Sequence, residues 1–321
     1  TGMNTPEVSV VMSVYNGAEH LQQTLRSILS QEGCELEFVV VDDGSIDDTG
    51  RILDEWAARD NRLRVIHPGN TGLTRALIRG CAEARGEFIA RQDAGDISLP
   101  GRLKEQICAL SKDNDLAFVS CKTQFVGPEG EYLYQQAGTG LSATPINIID
   151  IQQPNGIIDG PSSHPSVTFR KRKYLEAGGY RPQFYFGQDW DLWYRLGMIG
   201  KFLMLPSTLY EARVGLSDIS TSNKRMQEEL AELSLQSLRL RVAGQPDTEI
   251  LHQASQIRPQ VNRRANRGRI AKGAYFLGEC LRRNGDVVKA RHYFWQSLKD
   301  RPLQLKAWVR LGQTILARHQ Q

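Results

Sequence analysis

Apolar residues in the first third of the chain form short continuous runs separated by segments of helical spacing. The continuous runs are typical of strands buried on both faces, and they cover residues 8–14, 36–41, 63–66 and 88–90. Between them, apolar residues recur every three or four positions, as in Leu21, Leu25 and Ile28, which predicts intervening helices. A further helical pattern opens at Arg102. This alternation predicts a mainly parallel, doubly wound α/β sheet flanked by helices.

Polar side chains stand where three of these predicted strands end. The three clusters are Ser13-Val14-Tyr15-Asn16, Asp42-Asp43, and Asp93 with Asp96. Because the carboxyl ends of parallel strands share one edge of a sheet, where ligands bind, we expect the clusters to lie close together. Carboxylates in that position suit a divalent cation and the phosphates it carries. Each cluster alone is more typical of a turn or a helix cap, so the shared edge carries the interpretation.

The pattern changes after residue 125. Residues 138–145 and 152–165 are predicted loops, and a loop region of this length in an enzyme often covers a site. A strand is predicted at 166–169, a turn at 178–180, and a helix from Gln188 with Asp189 as its cap. Beyond about residue 222 the pattern predicts helices only.

The C-terminal helices contain a partial internal repeat. Leu277-Gly278 recurs 34 positions later as Leu311-Gly312, and Ala274 pairs with Trp308 at the same spacing. Further residues sit at the offsets of a tetratricopeptide-type helical hairpin: Ala290, Phe294 and Pro302. About one and a half units are visible where about three are needed for independent stability, so we expect this region to pack on its neighbours.

Charge divides the chain at about the same place. The net charge is +4, but residues 1–219 hold 21 basic and 28 acidic side chains, whereas residues 220–321 hold 19 and 8. Two modules are therefore predicted. The five cysteines are widely spaced without a Cys-x-x-Cys pair, which favours a reducing compartment over a disulfide framework or zinc site. We expect neither a membrane-spanning run nor a signal peptide, and interpret Thr1 and Gly2 as a cloning remnant.

Six segments together resemble the family-two glycosyltransferases of the GT-A fold, over residues 7–215. The segments are 8–17, 40–48, 70–73, 86–93, 178–180 and 188–193. Each is common alone, but their order and spacing are specific. The resemblance implies a GT-A domain at 1–218, with a Rossmann-like nucleotide-binding half (1–110) and an acceptor half (111–218). The C-terminal pattern predicts a helical, partly tetratricopeptide-like domain at 219–321. The resemblance also implies transfer of a sugar from a nucleotide donor to a hydroxyl, with inversion.

Mapped onto this sequence, the family's donor pocket falls at the predicted sheet edge. The implied donor-binding residues are Ser13, Tyr15, Asp42, Asp43, Arg75, Gln92 and Asp93. A carboxylate such as Asp43 can accept the imide N–H of uracil, and Tyr15 offers a ring to the base, so a UDP-sugar is expected. The alternatives are that Asp42 and Asp43 cap the next helix and that Arg75 is a solvated helix residue.

Asp189 matches the family's catalytic base. Inverting transfer needs one carboxylate to take the acceptor's proton, rather than the pair used by a retaining hydrolase. The aromatic residues Phe184, Tyr185, Trp190 and Trp193 are expected to limit solvent and raise the pKa of Asp189.

Three residues are assigned to the acceptor: His164, Gln188 and Trp190. Gln188 stands where the family usually has Glu. For His164, a buried, hydrogen-bonded histidine is the equal alternative, and Asp191 is expected to be structural.

The resemblance leaves the metal open. The family usually reads Asp-x-Asp at the strand end, and its final Asp binds Mg or Mn at the donor diphosphate; here that position is Gly95. Asp93 and Asp96 are the predicted ligands. Three alternatives are open. Asp96 supplies the missing ligand, water and the diphosphate hold the cation, or the transfer needs no metal.

The basic stretch near residue 265 has two interpretations. Its members are Arg258, Arg263, Arg264, Arg267, Arg269 and Lys272. They predict peripheral contact with an anionic membrane surface, where lipid-linked acceptors reside, or they form a solvated helix face. Nucleic acid is not an expected partner, because aromatic residues do not interleave the run. The predicted location is cytoplasmic, with the peripheral contact at the inner face of the membrane.

The sequence thus predicts an inverting glycosyltransferase that uses a UDP-sugar and a glycan or lipid-linked acceptor in bacterial surface polysaccharide synthesis. The alternative is a nucleotide-sugar-binding pseudoenzyme or scaffold whose helical tail recruits partners. Gly95 and Gln188 favour that alternative, whereas Asp189 argues against it. A dinucleotide-dependent oxidoreductase is disfavoured because no Gly-x-Gly-x-x-Gly follows the first strand.

Overall fold

A computed structural model describes residues 5–137, 160–216, 224–258 and 266–316 of the chain. The described strands are β1 (Val8–Val14), β2 (Leu36–Asp42), β3 (Leu63–Ile66), β4 (Phe88–Asp93), β5 (Ile97–Ser98), β6 (Leu116–Val126), β7 (Tyr132–Gln136), β8 (Thr168–Arg170) and β9 (Lys201–Arg213). They form one sheet in the order β3-β2-β1-β4-β8-β6-β9-β5, and β7 pairs with β6 beside this path. The loop predicted at 138–145, residues 152–159 of the loop predicted at 152–165, and Thr1 and Gly2 lie outside the described residues.

Helices connect and cover these strands. They are α1 (Ala18–Leu29), α2 (Thr49–Ala57), α3 (Leu73–Glu83), α4 (Arg102–Lys112), α5 (Lys171–Glu176), α6 (Gln188–Gly197), α7 (Lys224–Val242), α8 (Thr248–Gln256), α9 (Asn266–Arg283), α10 (Val287–Asp300) and α11 (Leu305–Leu316). The predicted α/β architecture followed by helices is confirmed. Parallel pairing joins β3, β2, β1 and β4, whereas β8 is antiparallel to both β4 and β6.

The parallel half explains the continuous apolar runs. Met12, Val40 and Ala90 belong to a core on one side of the sheet with residues of α1 and α4. Val11 and Val39 belong to a second core with residues of α3 and α6. Because both faces of these strands are buried, their sequences show no alternation of apolar and polar residues.

The strand register brings the predicted polar clusters to one edge. Ser13 of β1 lies opposite Val41 of β2 and opposite Asp93 of β4. The backbone N–H of Asp43 donates to the carbonyl oxygen of Val14 at 2.8 Å. The expectation that these strand ends lie side by side is confirmed.

Several elements of the second half differ from the sequence-based expectation. The strand predicted at 166–169 begins at Thr168, after a 3₁₀ turn at His164–Ser166. β6 and β9 were not predicted. Buried hydroxyls interrupt the apolar pattern of β6 and bond to the chain near this turn, as Ser120 does with Ser166 at 2.7 Å. Asp189 is not a helix cap, because α6 begins after Gly187, whose φ is 68°.

Contacts group the chain into two compact units. The larger contains residues 1–123, 136–211 and 227–258, and the smaller contains 124–135, 212–226 and 259–321. This grouping differs from a single cut at 218/219, because α8 and most of α7 pack within the larger unit around Phe184, Leu230 and Ala254. The assignment of functional domains at 1–110, 111–218 and 219–321 stays a prediction.

The smaller unit has its own core. Leu277, Ala290, Phe294 and Leu311 are buried together with Leu133 of β7. α9 and α10 approach closely at Gly278, where a Cβ atom would lie 2.8 Å from the ring of Phe294. The glycine therefore permits the helix contact. The tetratricopeptide-like class of these helices stays a prediction.

Candidate active site

Asp43 fastens the turn that leads into α3. Its Oδ1 accepts the backbone N–H of Thr71 at 2.7 Å and the Thr71 hydroxyl at 2.9 Å, and its Oδ2 accepts the backbone N–H of Gly72 at 2.8 Å. Asp42 accepts from the backbone N–H of Ser45 at 3.1 Å, and its other oxygen lies 3.1 Å from His67 Nδ1. Neither carboxylate caps α2, which begins after Asp48.

The loop after β1 presents Tyr15 to solvent. Its side chain is 52% exposed, while Ser13 is partly buried at the end of the strand. Asn16 adopts a positive φ of 53°, and its Oδ1 accepts the backbone N–H of Ile46 at 2.9 Å. The loops after β1 and β2 are thus tied together with the Tyr15 ring exposed beside them.

Asp93 is the exposed carboxylate at the end of β4. Its side chain is 42% exposed, and its Oδ1 accepts from Arg91 Nη2 at 2.7 Å. No partner occupies its Oδ2 among the described residues. The guanidinium of Arg91 is fully buried and also donates to the carbonyl oxygen of Val11 at 2.7 Å. A buried cation therefore fixes one oxygen of Asp93 and leaves the other open.

Gln92 and Asp96 are turned into the fold. The buried amide of Gln92 donates to the carbonyl oxygens of Asp93 and Asp96, each at 3.1 Å, and accepts from Ser98 Oγ at 2.8 Å. The Asp96 carboxylate is buried and accepts the hydroxyl of Tyr210 at 3.0 Å. Both side chains shape the loop that carries Asp93.

Gly95 occupies the position at which the family resemblance places a metal ligand. Its φ is 94°, which suits glycine, and a Cβ atom added here would have His20 Cβ as its nearest neighbour, at 4.0 Å. Among the residues that the structure describes, no group of three or more His, Cys, Asp or Glu side chains is arranged to hold a metal ion.

Asp189 lies in the first turn of α6 and lines a cavity of about 640 Å³. Burial raises the pKa of its carboxyl, the backbone N–H of Trp190 opposes this by donating to Oδ1 at 2.9 Å, and the negative charge of Asp93 adds to the rise. The same cavity is lined by Arg75, Gln188 and Trp190. The charge of Asp93 therefore acts on the carboxyl of Asp189.

His164 lies beside Arg91 and Tyr180. Its Nε2 lies 2.7 Å from the Tyr180 hydroxyl and 3.4 Å from Arg91 Nε. An arginine can only donate, so Nε2 accepts and we assign the proton to Nδ1. Burial and the charge of Arg91 hold the pKa of His164 well below its ordinary value, and the ring is neutral. His164 is thus buried and hydrogen-bonded, as one of its two interpretations expected. Its contact with an acceptor stays a prediction.

Three buried residues of this region were missed from the sequence: Arg91, Tyr180 and Arg102. Arg102 donates to the carbonyl oxygens of Arg91 and Pro165, each at 2.8 Å. An arginine inside the strand run 88–93, two positions before an aspartate, was the available signal for Arg91. Nothing local distinguished Arg102 from an ordinary residue at the start of a helix.

A sheet whose parallel half ends in the carboxylate of Asp93, together with a second carboxylate in the first turn of α6, agrees with the GT-A fold. The model of the family described as Glycosyl transferase family 2 matches residues 9–179, more than half of the chain, and the chain belongs to this family. It is a glycosyltransferase.

Two relatives agree with this assignment. EpsE of Bacillus subtilis (strain 168), provisionally named a glycosyltransferase, is 32% identical over 215 residues, which are 65% of this chain and 73% of EpsE. The amylovoran biosynthesis glycosyltransferase AmsE of Erwinia amylovora is 30% identical over 239 residues, which are 73% of this chain and 85% of AmsE.

Two solved structures share the fold. Residues 1–349 of S. aureus TarS in complex with UDP align with a TM-score of 0.56 at 18% identity, over 96% of this chain and 88% of that one. GalNAc-T7 with UDP, GalNAc and Mn²⁺ aligns with a TM-score of 0.55 at 16% identity, over 72% of this chain and 48% of that one. These likenesses support the GT-A fold.

Proposed function

We propose that this glycosyltransferase transfers a sugar, with inversion, from a UDP-sugar to a hydroxyl of a glycan or lipid-linked acceptor in bacterial surface polysaccharide synthesis. The observation that carries the proposal is the placement of two carboxylates: Asp93 is exposed at the end of β4 with one oxygen held by Arg91, and Asp189 lines the cavity. The amylovoran biosynthesis role in the name of AmsE supports the pathway class, and the UDP in the TarS complex supports the donor class.

The donor base fits the edge formed by Tyr15 and Asp43. A carboxylate offers about four acceptor positions, and Thr71 and Gly72 take three of those on Asp43. One position is left for the imide N–H of uracil, and the exposed ring of Tyr15 is available to the base. Ser13 and Asp42 complete this edge.

The donor diphosphate is assigned to Arg75 and Asp93. Arg75 is exposed in the first turn of α3 and has no hydrogen-bond or ion-pair partner among the described residues. Asp93 would hold Mg or Mn through its open Oδ2, whereas Asp96 and Gln92 fix the loop from inside the fold. When bound, the cation neutralises charge that builds up on the leaving diphosphate. The Mn²⁺ in the GalNAc-T7 structure supports a metal of this kind.

Asp189 is the proposed base. Its carboxylate takes the proton of the acceptor hydroxyl while the oxygen forms a bond to the anomeric carbon of the donor. The bond from that carbon to the diphosphate breaks, and its electron pair leaves with the diphosphate. One displacement inverts the anomeric centre. Burial raises the pKa of Asp189, which makes it a stronger base once it is deprotonated.

The variant Asp189→Asn tests this role. We expect it to bind UDP as wild type does and to lose transfer by about 10²- to 10⁴-fold, the range for loss of a general base. Asp115→Asn, which changes an exposed carboxylate paired with Lys201, is the matched control and keeps full turnover. Wild-type turnover by Asp189→Asn would refute the assignment. A wild-type protein that binds UDP but neither transfers nor hydrolyses any UDP-sugar with Mn would support the scaffold alternative.

A further inference from the structure

The cavity beside Asp189 is completed by helices beyond the family-matched residues 9–179. One wall comes from residues 71–75 at the start of α3, and another from residues 182–190. The remaining lining residues are Gln227 and Ala231 of α7, and Arg258 just after α8. Helix α7 and Arg258 therefore line the same cavity as Asp189, the proposed base.

The lining suits a carbohydrate. Tyr185, Phe186 and Trp190 present aromatic surface, and the Tyr185 side chain is 41% exposed. Gln188 and Gln227 add amide groups that can donate and accept hydrogen bonds. Flat apolar surface beside a few polar groups is the usual composition of a small-molecule site.

The charge of the cavity is unbalanced. Asp189 is the one acidic residue among the described lining residues, whereas Arg75 and Arg258 both contribute guanidinium groups. Neither arginine has a carboxylate partner among the described residues. The cavity also receives the first turns of α3 and α6, whose backbone dipoles place partial positive charge there.

Arg258 is held in place by groups that do not neutralise it. Its Nη1 donates to the carbonyl oxygens of Ile257 at 2.8 Å, Ala254 at 3.1 Å and Gln183 at 3.2 Å. Its guanidinium carbon lies 6.0 Å from the centre of the Tyr185 ring. The guanidinium of Arg258 therefore keeps its charge and a fixed position beside an aromatic ring. This arrangement suits a sugar that carries an anionic group.

We propose that the acceptor binds in this cavity and carries an acidic group, a carboxylate or a phosphate, that Arg258 recognises. This inference rests on the proposed function, because it takes Asp189 as the base that the acceptor must reach. The donor diphosphate is a competing anion for Arg258. It is assigned instead to Arg75 on α3, because Asp43 holds the start of this helix at the proposed nucleotide site.

Calorimetric titration with three matched disaccharides tests the inference. The probes share one linkage and end in glucose, glucuronic acid or glucose 6-phosphate, and each is titrated into the full chain saturated with UDP. We expect at least one acidic probe to bind about tenfold more tightly than the neutral one, as a charge-assisted contact provides. Arg258→Gln should abolish this preference, and Arg258→Lys should keep part of it. The control is Arg79→Gln on α3, which loses an arginine paired with Glu83 outside the cavity.

Three outcomes would overturn the inference. They are equal affinity of wild type for all three probes, absence of measurable binding of any probe at millimolar concentration, and a preference that survives in Arg258→Gln. A tenfold loss of UDP affinity in Arg258→Gln would also overturn it, by assigning this arginine to the donor. UDP binding by wild type, measured as a thermal shift, separates these results from failure of the proposed function.

Discussion

Arg91 shows how single residues set the chemistry of this site. Its buried guanidinium holds Asp93 at 2.7 Å and reaches His164 at 3.4 Å. Its positive charge also lowers the pKa of Asp189, against the effect of burial. One side chain thus touches Asp93 and influences the proposed base, although the sequence marks it only as a polar residue inside a strand.

Gly95 carries a prediction about the metal. Gly95→Ala and Gly95→Asp should each cost about 1 to 2 kcal/mol of folding free energy, because an L residue is strained at a φ of 94°. The open space around this position leaves room for either side chain. We expect Gly95→Asp to strengthen the Mn-dependent affinity for UDP about tenfold relative to Gly95→Ala, by adding a carboxylate ligand. Equal affinities in the two variants would contradict the view that this position faces the metal.

Asp189 carries a prediction about stability. Its folded-state pKa is raised, so the fold favours the protonated form, and wild type loses stability as the pH rises through that pKa. Asp189→Asn should therefore be more stable than wild type at pH 7 to 8, with an advantage that shrinks as the pH falls toward the ordinary value of 3.8. Urea unfolding across this pH range measures the difference. A variant less stable than wild type at pH 8 would contradict the origin given for the shift.

At the scale of elements, a buried ion network holds α6 to the helices that follow it. Arg181 binds Asp191 of α6, and it donates to Asp247, the residue before α8, at 2.6 Å. It also donates to Ser237 of α7 at 2.9 Å. These contacts join three helices within the larger unit.

Loss of this network should loosen the helices. Arg181→Met leaves two buried carboxylates with fewer partners, and we expect it to lower the free energy of unfolding by about 3 to 5 kcal/mol. Lys201→Met breaks the exposed pair with Asp115 and should leave the unfolding midpoint unchanged. Equal midpoints for the two variants in urea would show that the network does not stabilise the fold.

The sequence predicted most directly the strands that are buried on both faces. These are β1, β2 and β4, whose continuous apolar runs marked them, whereas β3 is only partly buried. β6 was not predicted, because buried hydroxyls interrupt its apolar pattern. These hydroxyls bond to a distant segment, as Thr123 does with Ser162 at 2.7 Å. The resemblance supplied Asp43 and Asp189. It could not supply Arg258, which reaches the cavity from a segment that the family motifs do not include.

At the scale of the whole molecule, the basic C-terminal region carries the proposed membrane contact. The basic stretch near residue 265 is only partly described. The structure includes Arg258, Arg267, Arg269 and Lys272, whereas Arg263 and Arg264 lie outside the described residues. Among the helices of the described ranges, none has the length and apolar content needed to cross a membrane. Arg267 and Lys272 are exposed on α9. We propose that such residues attach the protein to anionic lipid at the surface of the bilayer.

Vesicle co-sedimentation tests this contact. We expect binding to phosphatidylglycerol vesicles and not to phosphatidylcholine vesicles, with a loss of about tenfold in the double variant Arg267→Glu, Lys272→Glu. The double variant Lys289→Glu, Lys299→Glu makes the same change of charge on α10. It should bind phosphatidylglycerol vesicles more tightly than the double variant Arg267→Glu, Lys272→Glu. Equal losses in the two double variants would favour a diffuse solvated surface over a defined contact.

The position of α7 and of Arg258, just after α8, on the cavity wall has an evolutionary consequence. The residues assigned to the nucleotide precede residue 94, whereas Gln227, Ala231 and Arg258 come from a stretch more than a hundred positions later. With the acceptor in this cavity, as proposed, exchange of residues 227–258 between related genes is expected to change the acceptor glycan while the activated sugar stays the same. A strain that made this exchange would alter its polysaccharide without altering its supply of precursors.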